Sequence, residues 1–177
     1  MHLNVEIKAK CEDITMRNKI RTILREKSAQ RAELDHQIDT YFKVNNGRLK
    51  LREGNIENYL VFYEREDKAG PKESNVRLLA NQSESPLKEM LSSSLGILVT
   101  VDKTREIYFI DNIKFHIDQV NVLGWFVEIE AIDKNGSIGK EKLYEQCRLY
   151  MDLFRIREED LVEKSYGDLI LSARQPC

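Results

Sequence analysis

The chain contains eight short segments with the residue pattern of β-strands. In the first, apolar Val5, Ile7 and Ala9 alternate with polar Glu6 and Lys8, and a period of two is typical of a strand with one buried and one polar face. The predicted strands are 3–10, 36–44, 48–52, 58–65, 75–79, 100–110, 113–120 and 125–132. Asn46 and Gly47 predict a hairpin turn between the second and third of these.

Apolar residues recur at helical spacing in further segments between the strands. Ile20, Ile23 and Leu24 form such a stripe shortly after Asp13, which is a suitable N-cap. The predicted helices begin after Asp13, begin at Ser85 and end before Gly96, span 138–154, and begin at Ser165. Their apolar stripes would cover the apolar face of a sheet.

Strands therefore dominate, in two groups separated by helices, which predicts an α+β fold. Eight short antiparallel strands can close into a barrel with the helices packed on the outside. A length of 177 residues suits one domain with a sizeable core. We expect a single domain over residues 1–172 and a C-terminal tail at 173–177.

Composition narrows the environment and the partners. Charged residues make up 33% of the chain, but the formal net charge is only −2, so no overall field favours nucleic acid or an anionic membrane. Because no long apolar run appears, we expect a soluble, cytoplasmic protein. Cys11, Cys147 and Cys177 lack disulfide or zinc-site spacing and are expected to be reduced. A homodimer is left open.

Ionisable residues share one face of several predicted strands, while the residues between them are mostly apolar. The charged positions are Glu6, Lys8 and Lys10; Arg48, Lys50 and Arg52; Lys103 and Arg105; His116 and Asp118; Glu128 and Glu130. If helices cover the apolar face of a closed sheet, the charged face points inward, where unpaired cations are costly. A bound polyphosphate would supply the missing counter-charge, and the carboxylates are hard ligands suited to Mg²⁺ or Mn²⁺.

The segment VEIKAK at positions 5–10 resembles the first-strand signature of the CYTH superfamily, the triphosphate tunnel metalloenzymes, whose pattern is Glu-x-Glu-x-Lys. Further similar blocks follow in family order over nearly the whole chain, namely HQIDTYF, GRLKLRE, AGPK, DKTREIYF, FHIDQVNVLGWFVEIE and EKSYGDLI. The full set is far more specific than the first motif alone. The chain is most similar to the class IV adenylate cyclase branch, and thiamine triphosphatases and inorganic tripolyphosphatases share the same tunnel.

The resemblance implies a role for each matching residue. The metal-binding carboxylates would be Glu6, Asp118, Glu128 and Glu130. The phosphate-binding residues would be Lys8, Lys10, Arg48, Lys50, Arg52, Lys103, Arg105 and Lys164. The implied cofactor is Mg²⁺ or Mn²⁺, and the implied partner is a nucleoside triphosphate or another small triphosphate.

The chain departs from the family pattern at two positions. Asn4 stands where the first glutamate of the signature is expected, so an amide replaces one anionic metal ligand. Tyr63 lies near an expected lysine, with Arg65 as a candidate substitute. These departures bear on the number of metal ions and on the substrate.

Three functions remain open from the sequence. The first is an adenylate cyclase reaction, in which the ribose 3′-hydroxyl of ATP attacks the α-phosphorus. The second is hydrolysis of thiamine triphosphate or inorganic tripolyphosphate, and the third is triphosphate or polyphosphate binding without catalysis. No general base is assigned, because His36 and His116 are each interpreted as structural. The sequence does not locate a nucleoside pocket.

Overall fold

The computed structural model describes residues 2–82 and 85–174. Within these ranges the chain forms nine strands, four α-helices and one short 3₁₀ helix at Glu158–Asp160. The strands are β1 (His2–Lys10), β2 (Gln30–Arg31), β3 (Asp35–Phe42), β4 (Arg48–Gly54), β5 (Tyr59–Arg65), β6 (Lys72–Ala80), β7 (Ile97–Ile110), β8 (Ile113–Val120) and β9 (Gly124–Asp133). The helices are α1 (Ile14–Glu26), α2 (Leu87–Leu95), α3 (Lys140–Phe154) and α4 (Tyr166–Arg174).

Eight of the described strands close into an antiparallel barrel. The order around the barrel is β7, β3, β4, β5, β6, β1, β9 and β8, and β8 pairs back with β7. The short β2 adds to the outside of this ring by pairing with β7. The predicted α+β fold with a closed barrel and external helices is therefore confirmed.

One apolar core lies outside the barrel, between the sheet and helices α1 and α3. It receives the outward-facing residues of β1, β8 and β9, of which Ile7, Phe115 and Ile129 are almost completely buried. Leu24 and Phe154 enter from the helices. Burial of one such side chain is worth about 1.5–3 kcal/mol. This outer core fixes which strand face remains for the barrel interior.

A second apolar cluster fills one end of the barrel, where α4 packs over the strand ends. Tyr166 and Ile170 of α4 join Tyr41, Val99 and the inward residues of other strands. Gly167 lies so close to Val99 that an added Cβ would be 3.2 Å from its side chain. Helix α4 therefore covers this end of the barrel.

Local signals explain where several elements begin. Asp13 caps α1 by accepting a hydrogen bond from the Thr15 amide at 2.8 Å. Gly47 has a φ of +63° in the turn between β3 and β4, a conformation that favours glycine. Ser85 accepts a hydrogen bond from the Leu87 amide, and α2 begins at Leu87.

The observed elements differ from the predicted ones mainly at their ends. Strand β6 is longer than predicted, β7 begins three residues earlier, and β2 and the 3₁₀ helix were not predicted. Cys11 and Cys147 are free and buried, whereas Cys177 lies outside the described residues. Of the predicted tail, 173 and 174 belong to α4 and 175–177 are not described. No helix within the described ranges is long and apolar enough to cross a membrane.

Candidate functional site

The barrel encloses a cavity of about 170 Å³ that is lined mainly by ionisable side chains. These are the cations Lys8, Lys50, Arg52, Arg65, Arg105 and Lys114 and the carboxylates Glu6, Asp39, Glu57, Glu128 and Glu130. They come from strands all around the barrel, because alternation places every second residue on the inner face. Among the described lining residues, cations thus outnumber carboxylates by one.

Three cations surround a single buried carboxylate, that of Asp39. Lys50 Nζ lies 2.8 Å, Arg52 Nε 2.9 Å and Lys103 Nζ 2.7 Å from its oxygens. Burial opposes ionisation, but Arg52, Lys103 and Lys50 outweigh it and hold the pKa of Asp39 well below its usual range. Burial also lowers the pKa of Lys103 to about 7. Glu57 also pairs with Arg52 and with Lys114, so two carboxylates face four basic side chains, and this part of the lumen is suited to an additional anion.

A second cluster is centred on Arg105. Its guanidinium donates to both oxygens of Asp118, at 2.7 and 2.5 Å, and to Glu128 at 2.7 Å. Glu128 also pairs with Lys8 at 3.2 Å, and Lys8 and Arg105 hold the pKa of Glu128 well below its usual range although burial opposes this. The hydroxyl of Tyr166 donates to Asp118 at 2.8 Å and so joins α4 to the cluster.

Asn4 and Glu130 form a pair on the neighbouring strands β1 and β9. The Asn4 amide donates to Glu130 Oε1 at 2.7 Å, while Asn4 Oδ1 is buried without a hydrogen-bond partner. Burial raises the pKa of Glu130, and Lys114 opposes the rise. Nearby Glu6 pairs with Arg65. The lumen therefore holds an unused amide oxygen beside two carboxylates.

Glu57 enters the lumen from the turn between β4 and β5. Asp35, which is buried, accepts hydrogen bonds from the Ile56 and Glu57 amides at 2.9 and 3.1 Å and thereby holds this turn in place. The Glu57 side chain pairs with Arg52 and Lys114. These two cations lower the pKa of Glu57, although burial opposes the shift.

His116 is a buried histidine that faces the cavity. Its Nδ1 lies 3.1 Å from Glu128 Oε2, and its Nε2 has no hydrogen-bond partner. Burial, assisted by Arg105, lowers the pKa of His116 to about 4. At neutral pH the ring is therefore uncharged, and its interpretation as a structural residue stays a prediction.

The structure separates the site residues predicted from the sequence into three groups. Glu6, Lys8, Lys50, Arg52, Arg105, Glu128 and Glu130 line the cavity. Lys103 and Asp118 lie buried behind this lining, where they bind Asp39 and Arg105. Lys10 is exposed, Arg48 pairs with Asp67 and Asp168, and the Lys164 amine contacts Ser172 at 3.3 Å. The roles assigned to all of these residues remain predictions.

Sequence reasoning did not assign a role to four acidic or basic lining residues, namely Asp39, Glu57, Arg65 and Lys114. Asp39 and Lys114 alternate with other inward residues of β3 and β8, so this signal was available. Arg65 was considered only as a substitute for a lysine. Glu57 lies in a turn without periodicity, and hydrogen bonds between distant residues, such as that from the Glu57 amide to Asp35, hold this turn at the lumen.

The donor chemistry of the lumen suits a hard divalent cation that arrives with a phosphate ligand. Within the described ranges, no group of three or more His, Cys, Asp or Glu side chains is already arranged around a metal position. Mg²⁺ usually binds one or two carboxylates together with substrate phosphates and water. The buried, unpartnered Asn4 Oδ1 beside Glu130 provides a further oxygen of the right kind. The residues present therefore fit such a metal.

A closed antiparallel barrel with a charged lumen and outer helices defines the class of tunnel barrels. The CYTH domain model matches residues 2–166, and the chain belongs to this family. Members of the CYTH triphosphate tunnel family act on triphosphate substrates and are in general metal-dependent.

Similar proteins match this chain over almost its full length. A protein of Methanocaldococcus jannaschii, named "Putative adenylate cyclase MJ0240", is 25% identical over 94% of this chain and 98% of its own. The PH1012 protein of Pyrococcus horikoshii has a TM-score of 0.75 at 23% identity, with 96% of this chain and 99% of that chain covered. The Pct1 RNA triphosphatase of Schizosaccharomyces pombe has a TM-score of 0.52 at 11% identity, covering 93% and 85%. The two structures show a shared fold.

Proposed function

We propose that the chain binds a triphosphate in its tunnel and, with Mg²⁺ or Mn²⁺, acts as an adenylate cyclase that converts ATP to cyclic AMP and pyrophosphate. The observation that carries this proposal is the cavity itself, where four strands bring Lys8, Lys50, Arg52, Arg65 and Arg105 together. The name of the Methanocaldococcus relative supports the cyclase reaction in particular.

The incomplete charge balance around Asp39 and Glu57 supports the proposal of phosphate binding. Lys50 and Arg52 line the cavity and share the Asp39 carboxylate with Lys103. A phosphate that enters the lumen would take up the unused hydrogen-bonding capacity of the two cations without having to displace Asp39. Arginine can bind phosphate oxygens as a bidentate fork, and lysine acts as a point charge.

The same residues would favour the reaction itself. In the cyclase reaction a bond forms between the ribose O3′ and the α-phosphorus, the bond from that phosphorus to the bridging oxygen breaks, and the hydroxyl proton passes to solvent. Lys8, Arg65 and Arg105 would stabilise the charge that develops on the departing pyrophosphate. Glu6, Glu128 and Glu130 would hold the metal ion, which when bound would supply Lewis-acid activation of the attacking hydroxyl and offset negative charge on the phosphates. Fixed side chains would position both reacting groups.

Hydrolysis of a triphosphate is the second candidate. The fold shared with the RNA triphosphatase Pct1 favours it, and the same cations would serve a substrate bound in a different register. Binding without turnover is the third candidate, because Asn4 contributes no negative charge and is hydrogen-bonded to Glu130.

Product identification separates these candidates. The protein is incubated with Mg²⁺ or Mn²⁺ and, in separate reactions, with ATP, thiamine triphosphate or tripolyphosphate. We expect cyclic AMP and pyrophosphate from ATP, whereas orthophosphate would indicate hydrolysis and binding alone would indicate the third candidate. The Lys50→Met variant should lose triphosphate binding. Lys142→Met, which changes an exposed lysine on α3, is the matched control and should bind triphosphate like the wild type. If no triphosphate binds to the folded protein, the proposed function is wrong.

A further inference from the structure

A second hollow adjoins the charged cavity. It has a volume of about 330 Å³ and is lined by Phe109, Ile113, Lys114, Ile132, Lys134, Ile138 and three polar residues of the β7–β8 turn and the loop after β9. Lys114 and Ile132 also line the tunnel cavity. The two spaces are therefore neighbours that share a border.

The position of this hollow follows from the strand directions. Tyr59 is the first residue of β5, Lys114 is the second of β8, and Ile132 is the last but one of β9. All three line the cavity and lie at ends of antiparallel strands, which places them at one mouth of the barrel. Helix α4 covers the opposite end. The hollow is thus next to the mouth that α4 leaves free.

Phe109 continues the inner face of the barrel beyond this mouth. It lies four residues after Arg105 on β7, and the period of two places both on the same face. Phe109 also pairs in register with Lys114, and its side chain is 38% exposed. On the inner face of β7, the proposed phosphate-binding residue Arg105 is thus followed towards the mouth by the exposed aromatic ring of Phe109.

Lys114 connects the two spaces. Its amine pairs with Glu57 on the tunnel side and lies 5.8 Å from the centre of the Phe109 ring. A ligand that crosses this border would pass from cations and carboxylates to a surface made largely of Phe109, Ile113, Ile132 and Ile138.

The far wall of the hollow is held in a fixed conformation. Asp133 accepts hydrogen bonds from the amides of Gly136, Ser137, Ile138 and Gly139 at 2.8–3.1 Å. Hydrogen bonds from the amides of Gly139, Ile138 and Gly136 lower the pKa of Asp133. The loop that carries Ile138 is therefore arranged before any ligand arrives, which reduces the entropy lost on binding.

We infer that this hollow binds the planar aromatic group of an organic triphosphate whose phosphates lie in the tunnel. The inference rests on the proposed function and adds the place where the organic part of the substrate would bind and Phe109 as the residue that would select it. An organic triphosphate with an aromatic group fills both spaces, whereas inorganic tripolyphosphate fills only the charged one. The hollow thus gives the chain a preference for triphosphates that carry an aromatic group.

Isothermal titration tests this inference with three ligands: ATP, thiamine triphosphate and inorganic tripolyphosphate, each with Mg²⁺. The first two carry aromatic groups and the third does not. For the wild type, we expect at least one aromatic ligand to bind more tightly than tripolyphosphate. Phe109→Ala should weaken the binding of that ligand about tenfold, as expected for one lost stacking contact. The affinity for tripolyphosphate should stay unchanged. Phe109→Tyr should restore the affinity.

Leu149→Ala is the matched control, because this side chain is also exposed, at 54%, but lies on α3 away from the hollow. It should bind all three ligands like the wild type. Equal binding of the aromatic ligands by wild type and Phe109→Ala would overturn the inference and leave the proposed function standing. If the folded wild type binds none of the three ligands, both fail together.

Discussion

Asp39→Asn is the sharpest test of how the lumen is held together. The substitution keeps the shape of the side chain but removes the charge that Lys50, Arg52 and Lys103 share at 2.7–2.9 Å. Asp39 is only 1% exposed, so water cannot replace it readily. Removal of one partner from a buried ion pair costs about 3–5 kcal/mol, because the remaining charges stay buried without compensation.

Urea denaturation without added anion measures this loss. With a urea m-value of about 2 kcal/mol per molar, a loss of about 4 kcal/mol lowers the midpoint by about 2 M. Added tripolyphosphate should restore part of the lost free energy of unfolding, because an anion in the lumen would neutralise the cations in place of the missing carboxylate.

Asp102→Asn is the matched control for this substitution. Asp102 lies on the neighbouring strand β7 and pairs with His36 at 2.8 Å, but it is 46% exposed. Its loss should change the free energy of unfolding by less than about 0.5 kcal/mol. If Asp39→Asn is no more destabilising than Asp102→Asn, the assignment of Asp39 as the shared counter-ion is wrong.

Three further predictions concern the metal ion, the first strand and pH. Excess chelator should abolish turnover, and Glu128→Gln should weaken metal binding measured by titration more than it lowers the free energy of unfolding; full activity in chelator would contradict this. Asn4→Glu should tighten metal binding and raise turnover about tenfold, or about 1.4 kcal/mol of barrier, whereas a loss of turnover in a variant that folds and binds metal would show that Asn4 is adapted to its own substrate. The pKa of Lys103 is about 7 in the folded protein, and its ordinary value in an unfolded chain is 10.5. Between these two pH values the unfolded chain therefore holds a proton on Lys103 that the folded protein lacks. The free energy of unfolding should therefore rise with pH by up to about 1.4 kcal/mol per unit in this window, and Lys103→Met should reduce the slope; an unchanged slope in urea denaturation would contradict the assignment.

The fold was predictable chiefly from strands such as β1, β8 and β9, in which one face packs against helices and the other carries the ionisable residues of the cavity. A period of two then appears in the sequence, and it identifies the strand and its inner face together, as in Glu6 and Lys8 against Val5 and Ile7. Strand β2 was not predicted, because its two residues, Gln30 and Arg31, are too few to show an alternating pattern.

The candidate site was only partly predictable, because alternation gives the face of a residue but not its height along the barrel. Lys10 has the same parity as Lys8, yet it is exposed beyond the cavity. Lys103 shares the inner face with Arg105 but lies buried on Asp39 behind the lining. Which end of the barrel is covered depends on α4, whose packing over Tyr41 and Val99 involves contacts between residues far apart in the chain.

The cover that α4 places over one end of the barrel has a kinetic consequence. A ligand that enters through the remaining mouth, with its phosphates inward and its aromatic group at Phe109, must leave by the same route. After the cyclase reaction the pyrophosphate would lie deeper than cyclic AMP, so the nucleotide would depart first. Pyrophosphate would then bind the free enzyme and inhibit competitively with ATP, while cyclic AMP would inhibit non-competitively. A blind-ended barrel thus imposes an order on product release that a tunnel open at both ends would not.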